Sequence, residues 1–352
     1  MEKSPHLKSK RVFYSSFGFA TLKEISKIAN SKYGFCAVYC TIDQQYVEDC
    51  ALLFPNAVIH SIQDARCIIP PSGFKVPRKY VIDHPVIHRL MPYESIFYFM
   101  ADRMDSDGHQ FSSTQRRRFF YNTIKYWCDV LIYLDVHFVM SRNIPHFPSE
   151  YGLYIASKLL DRPFLMTDQM ASLERSWIIS SIEDRSMLIR KKMESDVKGI
   201  SAQITSILKK QRSDYTTAVP KYFIKNRESN QLNKRKIVKF YVKSILKVIL
   251  KLTKYKQHSG MTLKINHLPI SSGRSMPNIM QKSFIQLKAR HRIKRNKIFY
   301  EKLCKTPSFD TPYIYFAPNY QPERTTLPDA GIFADVLRML DLVASVLPEK
   351  WI

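Results

Sequence analysis

The chain has 352 residues, 45% of them hydrophobic and 24% charged, which is enough apolar material for a sizeable core in about two domains and excludes intrinsic disorder. The formal net charge of +25 points to a polyanion only until it is mapped: residues 187–298 hold 28 Lys and Arg against 4 Asp and Glu, and the remainder is nearly neutral. Six cysteines without C-x-x-C pairing exclude a disulfide scaffold, and apolar runs too short for a signal peptide or a membrane span argue against both, so a cytosolic protein with reduced, mostly buried thiols is expected.

From the N-terminus, KRVFYSSFG (10–18) reads as a strand ending in small polar residues. TLKEISKIANSKY (21–33) follows as a helix by the spacing of Leu22, Ile25, Ile28 and Ala29, and FCAVYC (35–40) as a second strand, making a β-α-β unit. NAVIHSI (56–62) predicts a third strand, after a helix broken at Pro55, and the proline-rich residues 64–95 predict a long irregular connection. Residues 115–134 begin as a long helix, DVHFVMS (135–141) is a buried strand, NIPHFPSEYGLYIASKLLD (143–161) is a turn and an amphipathic helix, and RPFLMTD (162–168) is a further strand. Strands alternating with helices imply an α/β, Rossmann-like fold whose parallel sheet is covered on both faces, with ligand loops at the strand C-terminal ends.

Beyond about residue 172 the pattern stays helical and turns basic. In KRKIVKFYVKSILKVILKLTKYK (234–256), Lys236, Lys239, Lys243, Lys247, Lys251 and Lys254 step by three or four and form one stripe on an otherwise apolar helix. Such a helix can lie on an anionic membrane surface or pack on the domain with a solvated lysine face; nucleic acid is the weakest of the three partners, because base-reading polar groups are not interleaved. HSGMTLKINHLPISSGRSMPN (258–278) reads as a loop and SFIQLKARHRIKRNKIFYEKLCK (283–305) as a basic helix. TPYIYFAP (311–318) is a strand bounded by prolines, GIFADVLRMLDLVASVLP (331–348) an amphipathic helix, and Lys350, Trp351 and Ile352 look like the start of another strand. The chain therefore divides into a Rossmann-like domain at 1–186, a basic helical insert at 187–298, and a linker with the first β-loop-α of a second Rossmann-like domain at 299–352.

YIYFAPNYQPERTTLPDAGIFADVLRMLDLVASVLPEKW (313–351) resembles the opening of the C-terminal half of bacterial surface-carbohydrate and capsular-polysaccharide biosynthesis proteins. These look like two-domain GT-B glycosyltransferases and include a family with Gln-Pro and His-Pro motifs; Gln321-Pro322-Glu323 stands at the Gln-Pro position. DRMDSDG (102–108), the helix from Gln115 and the 143–160 turn and helix show a shorter resemblance to the acceptor-side domain of the same proteins. The resemblance implies transfer from a nucleotide sugar to a glycan acceptor, without a further cofactor, by a cytoplasmic protein peripheral to the inner membrane. The family's His-Pro motif would follow Ile352, so a C-terminally truncated chain acting with a separately encoded C-terminal domain is expected. The alternative is a non-catalytic, membrane-peripheral assembly module.

Pro145 and His146 follow a buried strand where α/β ligand sites form, and His146 has the chemistry of a base or an acceptor ligand. Ser15, Ser16 and Gly18 end the first strand and are placed in the same cleft, although FGFATLKE is no G-x-G-x-x-G fingerprint. Asp102, Asp105 and Asp107 lack calcium-loop spacing, so no metal is expected, and Asp105 is carried as a catalytic base in the cleft or a helix cap. From the resemblance, Glu323 joins Asp105 and His146 as a catalytic candidate, while Gln321, Arg324, Thr325 and Thr326 would hold sugar hydroxyls and phosphate. Each has a structural alternative: a turn histidine satisfied by its neighbours, or a loop whose polar residues only cap and join two domains.

Overall fold

The computed structural model of the protein describes residues 10–18, 20–104, 112–170, 175–183, 197–214, 219, 263–265, 268–270, 291–292, 294–306, 313–316 and 327–348. Five short apolar runs form the parallel strands β1 (Arg11–Phe17), β2 (Cys36–Ile42), β3 (Val58–Ser61), β4 (Phe138–Ser141) and β5 (Phe164–Met170). They pair in the order β3-β2-β1-β4-β5, and β6 (Arg175–Ile179) closes on β5 as an antiparallel edge. Parallel neighbours need crossover connections. The sequence supplies α1 (Ala20–Tyr33) between β1 and β2 and α2 (Val47–Leu53) between β2 and β3. Between β3 and β4 come α3 (Ile62–Arg66), α4 (His84–Met104) and α5 (Ser113–Tyr133), and α6 (Pro148–Leu159) joins β4 to β5.

Side chains alternate across a strand, so each strand feeds two cores. Val12, Tyr14, Phe138 and Met140 pack with Leu22 of α1 and Cys50 of α2 on one face. Phe13 and Val139 point the other way, into Phe97 of α4, Phe120 and Trp127 of α5, and Tyr154 of α6. Burial on both faces explains why these strands read as continuous apolar runs rather than alternating ones. Trp127 is enclosed yet satisfied, because its indole N–H donates to the Ser149 carbonyl at 2.9 Å. At α5 the Ser112 hydroxyl accepts from Gln115 N while the Gln115 side chain accepts from Ser112 N, a capping box that sets the helix start.

The structure corrects several sequence readings. Residues 64–95 are not one irregular connection: after α3 only 67–83 lack regular structure, and α4 starts at His84, with Asp83 Oδ1 accepting from Val86 N. Pro85 lies in the first turn, where its missing N–H is harmless, and Pro92 is carried inside the helix. The irregular residues are tied down where Lys79 N and Tyr80 N donate to Asp129 Oδ1 and where His60 Nε2–H donates to the Ile69 carbonyl. Past residue 172 the chain is not yet helical but forms β6. The expected loop at 258–278 contains a two-stranded ribbon, β7 (Leu263–Ile265) with β8 (Leu268–Ile270).

Helix α7 (Val197–Ser213) belongs to the basic insert, and a helix at 291–292 and 294–303, labelled α8, crosses from its end into the linker. Residues 313–316, expected as the opening strand of a second Rossmann-like unit, form no strand. Leu327 and Ala334 are instead built into the core shared with α4, α5 and α6, and α9 (Val336–Val346) follows, capped where Asp335 Oδ1 accepts from Leu337 N and Arg338 N. Among the described residues no helix is long and apolar enough to cross a membrane. Cys40, Cys50, Cys67 and Cys128 are buried free thiols, while Cys36 and Cys304 are exposed.

Candidate functional site

In an open α/β sheet the crevice for ligands lies outside the strand C-terminal ends where the strand order reverses. Here β1 pairs with β2 on one side and β4 on the other, so the reversal lies between β1 and β4. The structure brings the predicted Ser15, Ser16, Pro145 and His146 to that point, since Ser15 pairs with Ser141 across the two strands and Arg142 N donates to Ser15 O at 3.2 Å. Ser16 is buried with φ 56°, an uncommon backbone state for a residue with a side chain, and its N–H donates to Thr41 Oγ1 at 2.8 Å.

A charged cluster that local spacing does not reveal completes the crevice. Glu150 stands at the third position of α6, where helix N–H dipoles favour a carboxylate. It accepts from Ser16 Oγ at 3.2 Å and from Arg66 Nη2 at 3.1 Å. Arg66 reaches across from α3, and its guanidinium lies 3.4 Å from the Phe147 ring centroid. Arg142 enters from the turn after β4. Burial lowers its pKa against the opposing pull of Asp43 and Glu150, so its charge sits in a site shared with two carboxylates. Two enclosed polar atoms beside the cluster, Arg66 Nε and Asn143 Oδ1, have no hydrogen-bond partner among the described residues, a pattern common where ligands complete the bonding.

His146 Nδ1 lies 3.0 Å from the Ile144 carbonyl. A carbonyl only accepts, so Nδ1 carries the proton and Nε2 is the basic nitrogen of the neutral ring. Comparison with protein-family models, with curated proteins and with solved structures finds no match. What the crevice can do is therefore read from its own groups. Among the described residues the two arginines are accompanied by two carboxylates, Asp43 and Glu150. Guanidinium, carboxylate, hydroxyl and imidazole groups beside the Tyr46 and Phe147 rings suit a neutral polyol, whose hydroxyls both donate and accept.

Gly18 serves the local packing. Its φ is 138°, and a Cβ there would lie 2.3 Å from Tyr46 Cδ2, so glycine lets the Tyr46 ring close over the end of β1. Asp105, Gln321, Glu323, Arg324, Thr325 and Thr326 lie outside the described residues, as do the stripe lysines Lys236, Lys239, Lys243, Lys247, Lys251 and Lys254. Among the described residues there is no group of three His, Cys, Asp or Glu side chains placed to hold a metal. Sequence reading missed Arg66, Arg142 and Glu150. Glu150 follows Pro148 at a helix start and carries a local signal, whereas its pairing with Arg66 spans 84 residues and carries none.

Proposed function

We propose that the β1/β4 crevice binds a glycan acceptor, and that the chain supplies the acceptor-side half of a GT-B-like glycosyltransferase of surface-polysaccharide assembly. The observation that carries this reading is the meeting of Ser16, Arg66, Arg142, Glu150 and the His146 turn at the strand reversal. The family resemblance of residues 313–351 supports the same class. In this reading His146 Nε2 takes the proton from an acceptor hydroxyl as that oxygen bonds to the anomeric carbon of the donor sugar. The anomeric carbon–phosphate oxygen bond breaks, and the nucleoside diphosphate leaves with the electron pair. Glu150 orients the acceptor through Ser16 and Arg66. The donor would be held by Gln321, Arg324, Thr325 and Thr326, with Glu323 a further catalytic candidate beside them.

Calorimetric titration of the full chain with neutral oligosaccharides and with nucleotide sugars tests the proposal. Oligosaccharide binding that Arg142→Ala weakens and His146→Ala leaves largely intact is expected, with transfer from a nucleotide sugar lost in His146→Ala. Equal binding by wild type and Arg142→Ala, or binding of no oligosaccharide, overturns it. A second reading, a non-catalytic assembly module, draws on α9, which has no buried residue and leaves Leu337 73% exposed and Val346 79% exposed.

A further inference from the structure

A helix of the basic insert, α7, and the helix that runs from its end into the linker, α8, share one pattern. In α8, placing successive residues about 100° apart puts Phe299, Leu303, Tyr300 and Cys304 within an arc of about 140°. Arg295 and Lys302 border one edge of that arc and Lys297 the other, Arg292 falls within it, and Lys294, Glu301 and the 46% exposed Ile298 lie behind. The apolar side chains are not packed on the protein, since Phe299 is 63% exposed, Tyr300 69% and Leu303 63%. In α7, Ile204 and Leu208 sit one turn apart and are both exposed, and the helix carries Lys209, Lys210 and Arg212 in its last turns with no acidic residue in its sequence.

The apolar arc of such a helix stays hydrated in water, and an anionic bilayer offers both an apolar layer for the arc and phosphates for the bordering cations. We infer that α7 and α8 each present a docking face for an anionic lipid bilayer. The aromatic and aliphatic side chains enter the boundary between headgroups and acyl chains, and the bordering Lys and Arg, long enough to snorkel, stay among the phosphates. The charge of the insert, 28 basic against 4 acidic residues over 187–298, supplies long-range attraction to anionic headgroups. An RNA partner would account for the cations but not for Leu303, Ile204 and Leu208 on the contact side. The surface is built from residues other than those of the crevice, and docking holds whether or not the crevice takes a glycan.

The test is sedimentation of the full chain with sucrose-loaded vesicles of phosphatidylcholine, with or without about 30% phosphatidylglycerol. Binding to the anionic vesicles and little to the neutral ones is expected. A Phe299→Ala/Tyr300→Ala/Leu303→Ala variant, which alters only exposed side chains and is checked by its melting temperature, loses about tenfold or more in partitioning. Lys297→Glu/Lys302→Glu loses a similar factor, and added salt reduces binding of the wild type more than of this charge variant. Vesicle binding unchanged in the triple alanine variant overturns the inference. So does binding to a single-stranded RNA oligonucleotide with none to vesicles.

Discussion

Replacing Glu150 with Ala strips the Arg66 guanidinium of its carboxylate in a place where the Arg66 side chain is only 13% exposed. Across 3.1 Å the attraction is about 5 kcal/mol at an effective dielectric of about 20. Desolvation of the two ions has already offset several kcal/mol of it. Losing one partner removes the attraction and leaves the burial penalty of the survivor, so Glu150→Ala is expected to destabilise by about 3 kcal/mol. Ser16 Oγ loses its acceptor in the same change. Arg66→Met with Glu150→Leu removes both charges and should cost clearly less than the two single changes added together, with a coupling energy of about 2 kcal/mol. Urea unfolding followed by tryptophan fluorescence and far-UV circular dichroism, run as a double-mutant cycle, measures this. A coupling below about 0.5 kcal/mol would mean that solvent screens the pair, and the picture of a crevice ordered by a buried ion pair would be wrong.

Gly152→Ala places a Cβ 2.4 Å from Thr123 Cγ2 and forces α5 away from α6; a loss of about 2 kcal/mol is expected. Thr123→Ser, which keeps the hydroxyl that bonds the Phe119 carbonyl, should recover most of it in a thermal melt. Gly18→Ala should lower the melting temperature through both its positive φ and the Tyr46 contact; Tyr46→Ala in the same chain would relieve only the second. Burial pushes the Glu183 pKa up, but bonds from Tyr154, Lys158 and Ser181 outweigh it and bring it down to about 2. Its contribution is therefore full above the unfolded value and is lost as pH falls from about 4.5 towards 2; because the side chain is half exposed, it is about 1 kcal/mol or less. Urea midpoints of the wild type should fall over that interval more steeply than those of Glu183→Gln.

The parallel sheet was readable because each strand is a short apolar run beside a helix of matching period, as in KRVFYSSFG and TLKEISKIANSKY. α4 was hidden because Pro85 and Pro92 read as breakers, and only the Asp83 cap and the core position of Leu90 show that one proline is in the first turn and the other is tolerated. β6 was hidden because RSWII is short, and its pairing partner, not its own pattern, makes it a strand. Within the crevice, Ser15, Ser16 and His146 could be placed from strand ends alone. Arg66 and Glu150 could not, because sequence shows residue types and a salt bridge between α3 and α6 exists only once the sheet has brought the two helices together.

The position of β1 at the centre of the sheet has a consequence for biosynthesis. When β3 has left the ribosome, β1 has one partner and an open edge, and that edge waits until the residues from Ile62 to His137 have been made. At ordinary rates of synthesis this is roughly 4 to 15 s. During that time the open edge of a strand that the finished fold buries is available to other chains. Closure by β4 ends the exposure and creates the crevice in one event, so a chain arrested before Ser141 has neither a protected sheet nor a binding site.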